Sequence, residues 1–383
     1  MKRFARWSDS TAPALAVLAA LLARVDIATK PLWARLQRVR EVRSAGLAWL
    51  DAWRVAGMPA IAGGASLTEG QHAGEFLLGE RSADTRETVT VLSGQNLKAG
   101  AVVGRVNKGV GRVSTPTVVG TGNGTATLVF AGPEVELGNY VLTCITAVAN
   151  GGVFSLVAPS GKALPNLTLT VGAGATTAYT SRHINFSITD GSTDFAVNDA
   201  FTFIVSTTAP IVIGTGNGTI SGLSLGPDAK TGTYRVENIA AVVNGGEFKV
   251  ISPDGDMIAN GFIVAGAGGT WVLANQRQLN LTVTDGATDF AVADAFNVCV
   301  FNQAPALAPG KVVAWDPTTF DGRDDVAGIL YDNVDASAAD KTGVIVSRFA
   351  EVMKGSLIWG AAITASQKES AYLDLAKRGV IAL

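Results

Sequence analysis

From about residue 85 onward the chain is built of short runs in which apolar and polar residues alternate. Thr88-Val89-Thr90-Val91, Tyr140-Val141-Leu142-Thr143 and Ile184-Asn185-Phe186-Ser187-Ile188 are examples. A period of two places every second side chain on one face, which predicts half-buried strands. Between the runs stand Ser93-Gly94-Gln95-Asn96, two Asn-Gly-Gly triplets, two Pro-x-Gly triplets and Asp-Gly pairs such as Asp190-Gly191 and Asp285-Gly286. Gly and Asn accept the positive φ angles of tight turns, so these clusters punctuate hairpins. Asp321-Gly322-Arg323-Asp324-Asp325 reads as a polar turn before a buried strand, Val326-Ala327-Gly328-Ile329-Leu330, and a further strand is expected from Gly343 to Ser347. A helical period is read near the end of the chain. Ser366-x-x-Glu369 has the spacing of a capping box, Ala371, Tyr372 and Leu375 make an apolar stripe, and Gly379 is placed to stop the helix. Val380-Ile381 fits either a closing strand or a packed tail.

The middle of the chain repeats itself. Val119-Gly120-Thr121-Gly122-Asn123-Gly124-Thr125 recurs 94 residues later as Ile213-Gly214-Thr215-Gly216-Asn217-Gly218-Thr219. The same offset relates Asn150-Gly151-Gly152 to Asn244-Gly245-Gly246 and Pro159-Ser160-Gly161 to Pro253-Asp254-Gly255. One inserted residue changes the offset to 95 for Thr189-Asp190-Gly191 through Val197 and their counterparts Thr284-Asp285-Gly286 through Val292. Self-similarity at a fixed period signals one duplicated unit. Its length and turn spacing predict an immunoglobulin-like β-sandwich, although no Cys-Trp-Cys pattern of a true immunoglobulin domain is present.

Composition narrows the chemistry. The chain has 383 residues, 44 of them Gly, with 16 % charged residues and a net charge of −2, so nothing electrostatic argues for a nucleic-acid partner. Two His and two Cys leave little for a zinc site or a Cys–His pair, and no catalytic residue, cofactor or metal ligand is assigned. His72 and His183 occupy unrelated places, and the second repeat has no His at the matching position, so an enzyme is not expected. Asp190, Asp194 and Asp199, with Asp285, Asp289 and Asp294, raise a calcium reading. Against it stands the common use of Asp to accept backbone N–H groups in turns, which is the preferred reading. Gly120-Thr121-Gly122-Asn123-Gly124 lacks the Lys and the following helix of a phosphate loop. Cys144 and Cys299 do not match between the copies, so a disulfide common to both is not expected.

Residues 1–57 differ from the rest. They hold ten of the 30 Lys and Arg, four of the 32 Asp and Glu, and four of the seven Trp. Ala14–Ala23 is too short for a membrane span and is followed by charged residues rather than a small-residue cleavage site. The reading preferred is a start at Met58, with a helical extension and an export signal or anchor as alternatives.

Two stretches outside the repeats belong together. Glu87–Gln95, Ala99-Gly100-Ala101-Val102-Val103-Gly104-Arg105-Val106, Lys311-Val312-Val313-Ala314-Trp315-Asp316 and the turn from Asp321 to Leu330 are similar, in that order, to the lambda-type phage head decoration proteins. The segment from Leu67 to Phe76 resembles the N-terminus of that family. The resemblance implies a small β-rich α+β domain, split here by two tandem β-sandwich modules, in a chain that is mainly β. It implies a homotrimer on the outer surface of a virion, with the major capsid protein as partner and no active site. Leu67, Thr68, Glu69, Gly70, Gln71 and Phe76 are the expected capsid-contact arm. The expected divisions are 1–57 as a basic extension, 58–84 as a flexible arm, 85–113 and 306–383 as the two halves of the decoration domain, and 114–210 and 211–305 as the repeats. A hairpin pairing Val102–Val106 with Lys311–Ala314 would accept such an insertion at its tip, because lengthening a loop adds little closure entropy. The modules would act as spacers or as weak binders of cell-surface glycans. The competing reading is a secreted or surface-anchored adhesin, which leaves residues 310–383 without a role.

Overall fold

The computed structural model describes residues 70–383 apart from 265, 267 and 305–308. The chain is mainly β. Five strands close into a barrel in the order Arg86–Val91, Lys311–Ala314, Val102–Val106, Val326–Leu330 and Lys341–Val346, the last returning to the first. All neighbours are antiparallel except the first pair, which is parallel at Val91 and Val312. The barrel thus draws strands from both sides of the repeats, and the expected hairpin is present, with Lys311 opposite Val106 and Ala314 opposite Val103. Closure leaves no free edge. Val89, Val91, Val103, Val312, Leu330 and Ile345 are buried together in one cluster. A second cluster, with Phe76, Val102, Trp315, Val346, Ala371 and Leu375, packs the helix against the barrel. Gly104 lets two segments touch, because a Cβ there would lie 2.3 Å from the carbonyl oxygen of Arg323.

The helix spans Ala365–Lys377. Its N-cap is Thr364, with Gln367 completing a reciprocal capping box, and not the expected Ser366–Glu369 pair. The two spacings are identical and overlap by two residues. Starting at Thr364 puts Ala371 and Leu375 in the core, and these are the helix residues with no exposure. Gly379, at φ +77°, turns the chain into Val380–Ala382, a strand parallel to Ala350–Val352.

Each repeat stacks a four-stranded sheet on a three-stranded one. In the first, the strands run Ala163–Leu169, Gly151–Val157, Gly138–Val148 and Ala200–Ser206, facing Thr176–Tyr179, Ile184–Thr189 and Thr125–Ala131. The second has Met257–Ile263, Gly245–Ile251, Gly232–Val242 and Ala295–Asn302, facing Thr270–Leu273, Leu279–Thr284 and Thr219–Leu225.

Lys108–Val113 departs from expectation. It was placed with the barrel, yet it lies between the two larger sheets, pairing with Ala295–Asn302 along Lys108–Gly111 and with Ala200–Ser206 at Arg112 and Val113. The two sheets become one. The three-stranded layers then cover opposite faces of it, as the alternation along Ala295–Asn302 shows. Phe296, Val298 and Val300 enter the core of the second repeat, whereas Cys299 and Phe301 enter that of the first. Glycines at 109 and 111 permit the close approach; a Cβ on Gly111 would lie 1.9 Å from the carbonyl oxygen of Ser206. Among the described residues no helix is long and apolar enough to cross a membrane.

Candidate functional site

The segment expected to meet the capsid is described from Gly70 onward. Leu67, Thr68 and Glu69 lie outside the described residues. Gly70 is exposed and Gln71 half-buried, with the Gln71 carbonyl accepting from Asn333 Nδ2 at 3.4 Å. His72 and Glu75 then close a small turn. The His72 backbone N–H donates to the Glu75 carboxylate at 2.8 Å and its Nδ1 lies 3.0 Å away, which holds the Glu75 carboxyl below its ordinary range. Gly74 donates to the Tyr331 carbonyl at 3.0 Å with φ +75°, and a Cβ there would press on the Tyr331 ring. Phe76 corrects the expectation of a surface contact. It has no exposure, sits with Trp315 and Val346 in the core under the helix, and its carbonyl accepts from Met353 at 2.8 Å. Leu77–Glu80 pairs with Ala350–Val352, so residues 70–80 are fastened to the barrel rather than free of it. An aromatic next to a Gly-rich stretch looks the same in sequence whether it anchors an arm or tips it.

The neck between barrel and repeats is also fastened. Asn107 donates to the Asp321 carbonyl at 2.8 Å and accepts from Gln303 at 2.7 Å, and Lys108 shares the Asp321 carbonyl at 3.0 Å. Arg105 reaches the Gly310 carbonyl at 3.2 Å and pairs with Glu87 at 2.6 Å. Arg323 forks onto Asp321, and the ion pair raises the guanidinium above its ordinary value. The two crossings are therefore stitched to each other and to the barrel turn 321–325.

Within the repeats the Asp residues do separate jobs. Asp199 accepts from the N–H groups of Thr121, Gly122 and Ala196 at 3.0, 2.8 and 2.9 Å, and Asp294 accepts from Thr215, Gly216 and Ala291 at the same distances. Burial pushes both carboxyls up, but three donors outweigh it and hold each below the ordinary range. These are structural caps. Asp194 and Asp289 each accept from the Asn of the Asn-Gly-Gly turn, Asn150 and Asn244, at 2.8 Å. Asp190 and Asp285 differ, being 95 % buried with no hydrogen bond of ordinary geometry to either carboxylate oxygen. Burial raises the Asp285 carboxyl above its ordinary value. Among the described residues no group of three or more His, Cys, Asp or Glu is placed to hold a metal ion.

The two His have no common site. His72 is in the arm turn, and His183 is 98 % buried in the first repeat, 3.2 Å from the Tyr140 hydroxyl and 3.6 Å from Glu134. Burial lowers its pKa, so the ring is neutral near pH 7. Cys144 and Cys299 are free thiols buried in the same core, and burial pushes both up. Tyr140, Tyr179 and Tyr234 are buried, and the half-buried Trp271 stacks on Phe248.

No curated protein sequence matches the chain. A profile of the family described as bacteriophage lambda head decoration protein D matches residues 66–155 and 204–380, together more than half of the chain. The two matched segments hold all five barrel strands, the Phe76 anchor and the helix, and the stretch between them falls inside the first repeat. The likeness thus reaches further into the repeats than the resemblance read from residues 58–107 and 310–383. An ordered match over both halves of one closed barrel places this chain in the bacteriophage lambda head decoration protein D family.

Proposed function

We propose that this capsid decoration protein acts as a homotrimer on the outer surface of an expanded phage head, bound to the major capsid protein and stabilising the shell. The reading rests on the family match across both barrel halves. The barrel with its helix, residues 70–107 and 303–383, would be the shell-binding domain, and residues 108–302 a displayed double module. Made in the host cytoplasm, the protein would meet finished shells there. The described chain from Gly70 is fastened to the barrel by the Gly74–Tyr331 bond and the Phe76 anchor. A segment held at one end loses less entropy on ordering, and an extended one can add to a sheet edge of the shell through backbone hydrogen bonds. Binding to the assembled shell and not to free subunits stabilises the shell by mass action, and threefold repetition adds avidity.

Recovery of the protein from purified particles, with its intact mass and its molar mass after release, tests this. A trimer that co-purifies with heads is expected. A monomer absent from particles would defeat the proposal and return the exported adhesin to consideration.

A further inference from the structure

The first repeat is open along one side. Its three-stranded sheet ends at Thr125–Ala131, which pairs with Ile184–Thr189 and has no strand on its other edge among the described residues. That edge is held to the second repeat at Ala131, whose N–H donates to Thr233 Oγ1 at 2.7 Å. Leu128, at φ +53°, sits in a register shift of that pairing, as in a β-bulge. Between the edge and the joined sheet lies a groove of about 530 Å³ whose floor includes Val113 and Cys299, continuous with the core of the first repeat.

Three features of this groove point to one kind of occupant. Its rim carries Val118, Leu128, Ile211 and Ile213, exposed by 45, 67, 60 and 50 %. Its charged lining residues are Arg112 and Arg235, with no Asp or Glu. Arg235 shares Glu237 with Lys249, while Arg112 has no acidic partner among the described residues, so the groove holds uncompensated positive charge. An unpaired strand edge is a template for another strand. The equivalent edge of the second repeat, Thr219–Leu225, is likewise without a strand beyond it among the described residues and borders a cleft that the barrel residues Thr318, Phe320 and Asp321 help to line.

We propose that this groove docks an extended acidic–apolar peptide segment of a partner protein as a strand added to Thr125–Ala131. Its alternate side chains pack against Val118, Leu128 and Ile213, and its carboxylate pairs with Arg112. Residues 1–57 of this chain, with ten basic and four acidic residues, have the wrong charge for the site. The inference stands apart from capsid binding, because neither the barrel nor the arm takes part in it.

The test uses the full chain and a short labelled peptide of alternating valine and threonine with one central glutamate, followed by fluorescence anisotropy. Saturable binding is expected, weaker by about fivefold or more for the glutamine peptide, with that preference erased by Arg112→Gln. N-methylation of the alternate peptide amides, which removes ladder donors without touching the protein, should abolish binding. The proposal is overturned by the absence of saturable binding up to about 1 mM, by equal binding of the N-methylated peptide, or by an Arg112→Gln protein that keeps the glutamate preference. Decanoate binding as well as the peptide would instead assign the groove to a small amphiphile. Displacement of the peptide at rising protein concentration would assign the edge to a second copy.

Discussion

The two repeats share a frame but not a setting. Each has an eleven-residue central strand, Gly138–Val148 or Gly232–Val242, with a register shift at matching positions. In each a buried Tyr hydroxyl, Tyr140 or Tyr234, accepts a backbone N–H four residues earlier, from Glu136 or Lys230, at 2.9 Å. Arg182 pairs with Glu134 as Arg277 pairs with Asp228. The difference lies at 136 and 230. Glu136 is fully buried and accepts from the Ser160 N–H at 3.1 Å, whereas Lys230 is exposed and pairs with Asp254. The cause is position. The end of the second repeat's last strand covers the first repeat, with Leu137 donating to the Asn302 carbonyl at 2.9 Å and Asn302 to that of Val135 at 2.8 Å. Interlocking thus gives one copy a buried polar cluster that the other lacks.

The shared frame can be broken at its caps. Asp199→Ala and Asp294→Ala each strand three backbone donors, at on the order of 1–3 kcal/mol per buried group left unsatisfied. Thermal denaturation should show a large and similar loss for the two variants, and a negligible loss in one would mean that the copies are not held alike.

Interlocking is tested next. Phe301→Ala should cost about 3–5 kcal/mol. The loss of hydrogen-exchange protection should fall on the first repeat, although Phe301 belongs to a strand of the second. Phe296→Ala should do the reverse. Loss confined to the second repeat in both variants would contradict the shared sheet.

The buried cluster separates the copies by pH. The matching position to His183 is Gln278, which accepts from the Tyr234 hydroxyl at 2.9 Å. The folded His183 pKa lies below its ordinary 6.5, so the unfolded chain binds the proton more readily. His183 therefore contributes stability above pH 6.5 that is lost as pH falls through the folded value. His183→Gln should leave stability at pH 7 nearly unchanged and flatten that acid loss, read from denaturant midpoints at several pH values. An undiminished slope would show that the ring does not titrate in this way.

The smallest effect is expected at Asp285. Its folded pKa is raised by burial, so the stability linked to it is full below the unfolded value of 3.8 and lost as pH rises through the folded one. Asp285→Asn removes the buried charge and should match or exceed wild-type stability at pH 7 by up to about 1 kcal/mol. A marked loss instead would mean that the carboxylate has a partner.

Much of this was legible in the residues. The duplication, the barrel hairpin and the cap role of Asp199 and Asp294 follow from local spacing, because turns and period-two alternation act over a few residues. Lys108–Val113 was misplaced because Lys-Gly-Val-Gly-Arg-Val continues the barrel strand in pattern, and only tertiary pairing with Ser206 and Val300 reveals its place. The burial of Phe76 and the opposite facing of Phe301 and Val300 depend on which segment lies across, which no local pattern carries. The groove beside Leu128 exists only because two repeats meet at that register.

The central claim is that the barrel grips a phage shell while the interlocked repeats stand clear of it. Electron cryomicroscopy of purified particles carrying the protein tests this most directly. Density at the threefold positions should place the barrel and the segment before Gly70 against the shell, with the repeats outermost. Particles without that density, or repeats lying against the shell with the barrel outward, would contradict it.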